Sequence, residues 1–275
     1  MQLLRQVRLK SGPADEHPFS LPVFSSFESL NFDTPVTFFV GGNGTGKSTL
    51  LEGIAAAARL PGLTGADVER SPLMESGRHL APRLTLVKTK PVKHGLFFRA
   101  DDVTGFIQRL QRDMRTFSDM EGEFSTIEGD WGRDRAMALA RGQREALLNR
   151  YGRDDSVAGD GVASEEALFA RSHGELFLQL LHSRITAAGL YLLDEPETPL
   201  SPENQIAFLA LLKDSVARGC QFVIATHSPI IMAALGSRLY DFDQHPPESV
   251  AWEDLEHVQL TRAFLNSPET FLRHL

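Results

Sequence analysis

Nine consecutive residues could do phosphate chemistry: Gly41, Gly42, Asn43, Gly44, Thr45, Gly46, Lys47, Ser48 and Thr49. The apolar run Val36-Thr37-Phe38-Phe39-Val40 leads into them, and a small-residue helical run from Leu50 to Leu60 leads out. Strand, glycine loop and helix in that order give a phosphate loop its meaning. The glycines let successive backbone N–H groups turn inward, and the helix N-terminus adds partial positive charge. Lys47 is then placed to reach the β- and γ-phosphates of a nucleotide, and the Ser48 hydroxyl to ligate Mg²⁺. The bland alternative is a strand-to-helix turn with an accidental lysine.

A second cluster follows another apolar run. Leu190-Tyr191-Leu192-Leu193-Asp194-Glu195 ends a buried strand on two carboxylates, at the strand end where ligands sit in open α/β sheets. An acidic residue there can hold Mg²⁺, directly or through water, which is the role expected of Asp194. Glu195 is positioned to polarise a water for attack on the γ-phosphate. Taken alone, the same residues are a strand meeting solvent. His227 follows the strand Phe222 to Ala225 as Ala-Thr-His-Ser-Pro and stands at a third strand end, where an imidazole can contact the γ-phosphate. The other eight histidines show no metal-ligand spacing.

The elements that must position these groups alternate between strand and helix. Strands are expected at Val7 to Lys10, in short pieces over Phe19 to Phe27, and at Leu84 to Val87, Gly95 to Phe98 and Arg238 to Phe242. Helices are expected from Glu175 to about Ala188, from Pro202 to about Arg218 behind the cap Ser201, near Ile230 to Leu235, and after Ser267-Pro268. Residues 61–81, with two Pro and three Gly, suggest an irregular connection. Phe19, Phe24 and Phe27 are candidates to stack on a base, with core packing the competing fate of each.

From Asp102 to Ala170 the texture is helical, with Ile107, Leu110, Met114 and Phe117 in one tract and Ala136, Leu139, Ala140, Leu147 and Leu148 in another. Glycines 122, 129 and 132 separate them, and 154–161 reads as a flexible loop. The many arginines there (109, 112, 115, 133, 135, 141 and 144 among them) are interleaved with acids, which fits a solvated mixed-charge face better than a nucleic-acid groove. The expected organisation is an α/β fold with a mostly parallel sheet flanked by helices. It comprises residues 1–101 with the phosphate loop, a helical insertion over 102–170, and 171–275 with the acid pair and His227.

Composition narrows the classes. Hydrophobic residues make up 42% of 275, enough for a core. The single Cys220 leaves no internal disulfide framework and suits a reducing cytoplasmic setting; it reads as buried packing. A net charge of -8 argues against broad, sequence-independent DNA binding. No run approaches the ~18 apolar residues of a membrane span, and Met1 to Pro13 has no signal-peptide core.

In this order the motifs resemble the ABC-type ATPases, a family of P-loop NTPases. Gly41 to Ser48 match Walker A and Leu190 to Glu195 match Walker B, while His227 looks like the switch histidine. Ser172-His173-Gly174-Glu175 looks like the signature loop, and Pro199-Leu200-Ser201-Pro202 falls where the dimer-contacting loop lies. The signature departs from Leu-Ser-Gly-Gly-Gln: Arg171 replaces Leu, His173 the first Gly and Glu175 the Gln. The Mg²⁺-contacting Gln loop is not legible, Phe98-Arg99-Ala100 occupying that neighbourhood. The similarity is closer to stand-alone bacterial AAA/ABC-class ATPases, akin to the ATPase parts of DNA-repair, chromosome-maintenance and anti-phage proteins.

The resemblance implies hydrolysis of ATP with Mg²⁺ at two composite sites of an ATP-dependent homodimer, Ser172 and Gly174 of one copy capping the γ-phosphate held by the other. It also implies an unidentified protein or nucleic-acid partner. Two other classes compete: a nucleotide-binding subunit under a separate membrane protein, and a non-hydrolysing nucleotide-binding regulator.

Overall fold

A computed structural model describes residues 2–10, 16–62, 74–125, 138–143, 145–146 and 172–273. The chain divides into two compact units, residues 1–100 with 187–275, and residues 101–186.

In the first unit the described strands form two sheets. The larger has six strands in the order β5 (Gly95–Arg99), β6 (Leu190–Asp194), β7 (Gln221–Ala225), β3 (Val36–Val40), β8 (Arg238–Asp241) and β9 (Glu248–Val250). Its pairs are parallel except β8–β9, which is antiparallel. Every residue of β3, β6 and β7 is buried, so these sequences are unbroken apolar runs rather than alternating ones. The smaller sheet is antiparallel, in the order β2 (Ser29–Asn31), β1 (Leu4–Leu9) and β4 (Leu84–Lys88). The buried Gln221 amide joins the sheets, accepting from Leu4 N–H and donating to Leu4 O, both at 2.8 Å.

Two sequence expectations are corrected. Phe19 to Phe27 is not extended. Pro22 opens a helix, α1 (Pro22–Ser26), because its fixed φ suits a first helical position. The Ser25 and Ser26 hydroxyls then donate back to Pro22 O and Val23 O. The 61–81 connection is not wholly irregular either, since Glu75–Leu80 forms α3; residues 63–73 lie outside the described ones.

Helix α2 (Lys47–Ala58) follows the phosphate loop, and α3 packs against it with Gly77 set against Glu52 and Gly53. A Cβ on Gly77 would stand 2.4 Å from Glu52 Cβ and 2.8 Å from Glu52 C. Gly77→Ala is therefore expected to destabilise the unit by about 1–3 kcal/mol through overpacking, read as a lower denaturant midpoint.

In the second unit, α4 (Ala100–Ser125, whose first residue belongs to the first unit) carries Ile107, Leu110, Met114 and Phe117 and runs through Gly122 without a break. Arg109, Arg112, Arg115 and Arg141 are exposed. Gly129, Gly132, Ala136, Leu147, Leu148, Arg133, Arg135, Arg144, Arg171 and the 154–161 loop lie outside the described residues. α5 (His173–Arg184) begins two residues before the expected Glu175 and ends four short of Ala188.

The first unit closes with α6 (Pro202–Ala217), α7 (Pro229–Met232), α8 (Glu256–Asn266) and α9 (Pro268–Leu272). No helix among the described residues is long and apolar enough to cross a membrane.

Candidate functional site

Strands β6, β7 and β3 are neighbours, and their register puts Asp194 and Phe39 both beside Ala225. The phosphate loop, the acid pair and the His227 loop therefore leave the sheet from the same edge. Lys47, Ser48, Glu195 and His227, with Asn43 to Thr49, His17 and Leu21, line one cavity of about 210 Å³.

Gly44 and Gly46 take φ of 77° and 96°, the left-handed region that glycine enters without strain. Lys47 turns back on its own loop, donating to Gly41 O at 2.9 Å and Gly42 O at 2.6 Å. Burial lowers its pKa, and the carboxylates of Asp243, Glu195, Asp194 and Glu197 oppose that shift. Ser48 Oγ donates to Asp194 Oδ1 at 2.8 Å, so the two groups assigned to Mg²⁺ touch. Burial pushes Asp194 up to about 6, against the Ser48 hydrogen bond and the Arg99 guanidinium.

Glu195 takes φ of 50°, an uncommon conformation for a residue with a side chain, and its N–H donates to Ala225 O at 2.8 Å. His227 Nε2 stands 4.0 Å from Glu195 Oε1. Burial first, then Lys47, lowers the His227 pKa and favours neutral imidazole.

An oxygen-only donor pair, a hydroxyl on a buried carboxylate, suits a hard divalent cation such as Mg²⁺. Among the described residues no three His, Cys, Asp or Glu side chains cluster into a metal cage. Phosphate oxygens and water would have to complete the coordination, which is the habit of Mg²⁺ at nucleotides.

Ser172 and Gly174 begin α5, in the second unit. Ser172 forms a full capping box: its Oγ accepts from Glu175 N–H at 3.3 Å and its N–H donates to Glu175 Oε2 at 2.8 Å. The hydroxyl also donates to Glu175 Oε2 at 3.0 Å. Phe19, Phe24 and Phe27 are buried in the core of the first unit, and none lines the phosphate cavity.

Three further contributors take on a role only once the fold brings them to the site. Asp243, beyond β8, accepts the Gly42 N–H at 2.8 and 3.1 Å. It lies behind the loop, in a second cavity of about 520 Å³ that Gly41 and Gly42 also line. Arg99 ends β5 in register with Asp194 and pairs with Glu52 at 2.8 Å. Its Nε is 3.9 Å from Asp194 Oδ2, in the stretch Phe98-Arg99-Ala100 that stands in the neighbourhood of the missing Gln loop. Glu197 accepts from Thr226 and His227; its only sequence trace is the last residue of Asp194-Glu195-Pro196-Glu197.

A family model described as "AAA domain, putative AbiEii toxin, Type IV TA system" matches residues 172–233, and one described as "AAA domain" matches 21–69. No curated protein matches the chain. Among solved structures, the ATP-binding cassette of an ABC transporter in its ADP conformation is 14% identical, covers 95% of this chain and 98% of its own, and superposes with a TM-score of 0.51. The Smc head domain of Pyrococcus furiosus, solved bound to the C-terminal domain of ScpA, is 12% identical over 97% and 99%, with a TM-score of 0.47. CbiO1 from Clostridium perfringens, part of the ABC transporter complex cbiONQ, is 14% identical over 100% of both chains, with a TM-score of 0.45. The fold, a mostly parallel sheet with a phosphate loop, is that of the P-loop ABC ATPases.

Proposed function

We propose that this ATPase of ABC/AAA type hydrolyses ATP with Mg²⁺ at composite sites shared by two copies of the chain. The observation that carries the reading is the 2.8 Å contact of Ser48 with Asp194, beneath a cavity that Lys47, Glu195 and His227 share.

Residues 43–49 cradle the polyphosphate with backbone N–H groups, and Lys47 trades its loop carbonyls for phosphate oxygens. Ser48 and Asp194 are the residues that hold Mg²⁺, which when bound offsets phosphate charge. Glu195 takes the proton of the attacking water at a carboxylate oxygen. Neutral His227 donates a hydrogen bond to the γ-phosphate.

One phosphate loop leaves the outer face of that phosphate in water. Ser172 and Gly174 of the partner subunit close it, lowering the local dielectric and strengthening each contact. ATP thereby joins the dimer and hydrolysis loosens it. An unidentified protein or nucleic acid is the object of that cycle.

The direct test is phosphate release from the purified chain with Mg·ATP, alongside light scattering with and without nucleotide. No release sinks the hydrolase reading, and a monomer at every ATP concentration sinks the shared site. Ser172→Ala separates the two roles of the signature serine. Loss of a cap costs about 1 kcal/mol of stability, whereas loss of a γ-phosphate contact lowers turnover about tenfold or more. Phosphate release and a thermal melt on the same sample check this, and unchanged turnover leaves Ser172 a helix cap only.

A further inference from the structure

Glu195 and His227 leave the sheet on different strands, and 4.0 Å separates their nearest atoms. A third carboxylate fixes that separation. Glu197 Oε1 accepts the His227 backbone N–H at 2.6 Å, and Oε2 accepts the Thr226 hydroxyl at 2.8 Å. Thr226 Oγ1 in turn accepts the Ser228 N–H at 3.0 Å, and Ser228 Oγ donates to Gln205 Oε1 at 2.5 Å. Gln205 Nε2 donates to Leu200 O at 3.2 Å, and Leu200 N–H returns to Glu197 O at 2.8 Å. The circuit is closed. Thr198 N–H, donating to Glu195 O at 3.1 Å, ties it to the acid pair.

We propose that Glu197 is a positioning residue for hydrolysis: its carboxylate sets where His227 stands relative to Glu195 and makes the two loops move as one. The proposal rests on the ATPase reading above and names how that site is held.

A purely architectural role fits less well, because the sheet does not need this carboxylate. The β6–β7 register and the Glu195 N–H to Ala225 O bond already join the strands. What Glu197 adds falls on the backbone of the histidine itself. Hydrogen bonds to a charged acceptor are shorter and stronger than neutral ones, and losing this one orphans the His227 N–H.

The test is a double-mutant cycle on the full chain. Glu197→Ala is expected to lower kcat about tenfold with KM changed no more than about twofold. In a His227→Ala background the same change should cost almost nothing more, because residues acting through one another are not additive. Glu197→Gln, which keeps an oxygen for the His227 N–H, should recover most of kcat. Should Glu197→Ala fail to fold, Glu197→Asp replaces it, retaining charge but lacking the reach to hold both donors.

A second readout needs no turnover. The His227 ring resonance of the nucleotide-free chain should shift and broaden in Glu197→Ala and return in Glu197→Gln. Losses that multiply in the double variant, or a His227 resonance indifferent to Glu197→Ala, overturn the proposal. If the wild-type chain releases no phosphate, the ATPase reading fails on its own and the resonance alone decides Glu197.

Discussion

A Glu195→Gln chain is expected to bind Mg·ATP with near wild-type affinity and to release phosphate about 10²–10³-fold more slowly. The substitution keeps the shape of the side chain and removes only its ability to take a proton. The hydrogen bond from residue 195 N–H to Ala225 O belongs to the backbone and survives, as does the Ser48–Asp194 contact. Binding and chemistry should therefore separate cleanly. With hydrolysis slowed, the ATP-joined dimer should accumulate and be visible by light scattering. A variant that turns over as fast as wild type places the general base elsewhere, and one that loses nucleotide affinity in proportion makes Glu195 a binding residue.

Asp194→Asn is expected to make the metal-free chain more stable while abolishing Mg²⁺-dependent hydrolysis. Burial raises the Asp194 pKa from 3.8 to about 6. As pH climbs through that window, the unfolded chain gives up the proton before the folded site does. Folded stability falls accordingly and stays low above about pH 6. At pH 7 the charged carboxylate costs up to about 3 kcal/mol, and asparagine removes that cost while still accepting from Ser48. Denaturant unfolding without Mg²⁺ should show the variant ahead of wild type at pH 7 and level with it near pH 4. Mg·ATP should narrow the gap, because the wild type, with its metal-binding carboxylate, gains more from it than the variant does. Equal stability at both pH values would mean that the carboxylate is not destabilised by its burial. A trade of this kind is usual where a site is built for its ligand rather than for rest.

The parts of the site legible in the sequence are those that one stretch of chain supplies. Gly41 to Thr49 carry their own strand, turn and helix, and Asp194-Glu195 advertise themselves by ending an apolar run. The buried strands β3, β6 and β7 were legible for the same reason. Phe19 to Phe27 misled because aromatic and serine residues suit a strand as well as a turn, and Pro22 settled the choice for a helix.

The supporting groups act across long separations. Asp243 meets Gly42 over 201 residues, Arg99 meets Glu52 over 47, and Glu197 meets His227 over 30. Each is an ordinary charged residue until the parallel register sets its strand beside another. Arg99 shows this most plainly: only pairing with Asp194 across the sheet brings it beside that buried carboxylate.

Lys47 spends its charge on Gly41 O and Gly42 O, and this has a thermodynamic consequence. The two contacts brace the loop like a strut, so part of its ordering precedes the arrival of any anion. The same strut must be traded away on binding. Each charged hydrogen bond is worth about 1.5–3 kcal/mol, a toll that a lone small anion repays poorly and a chain of three phosphates repays several times over.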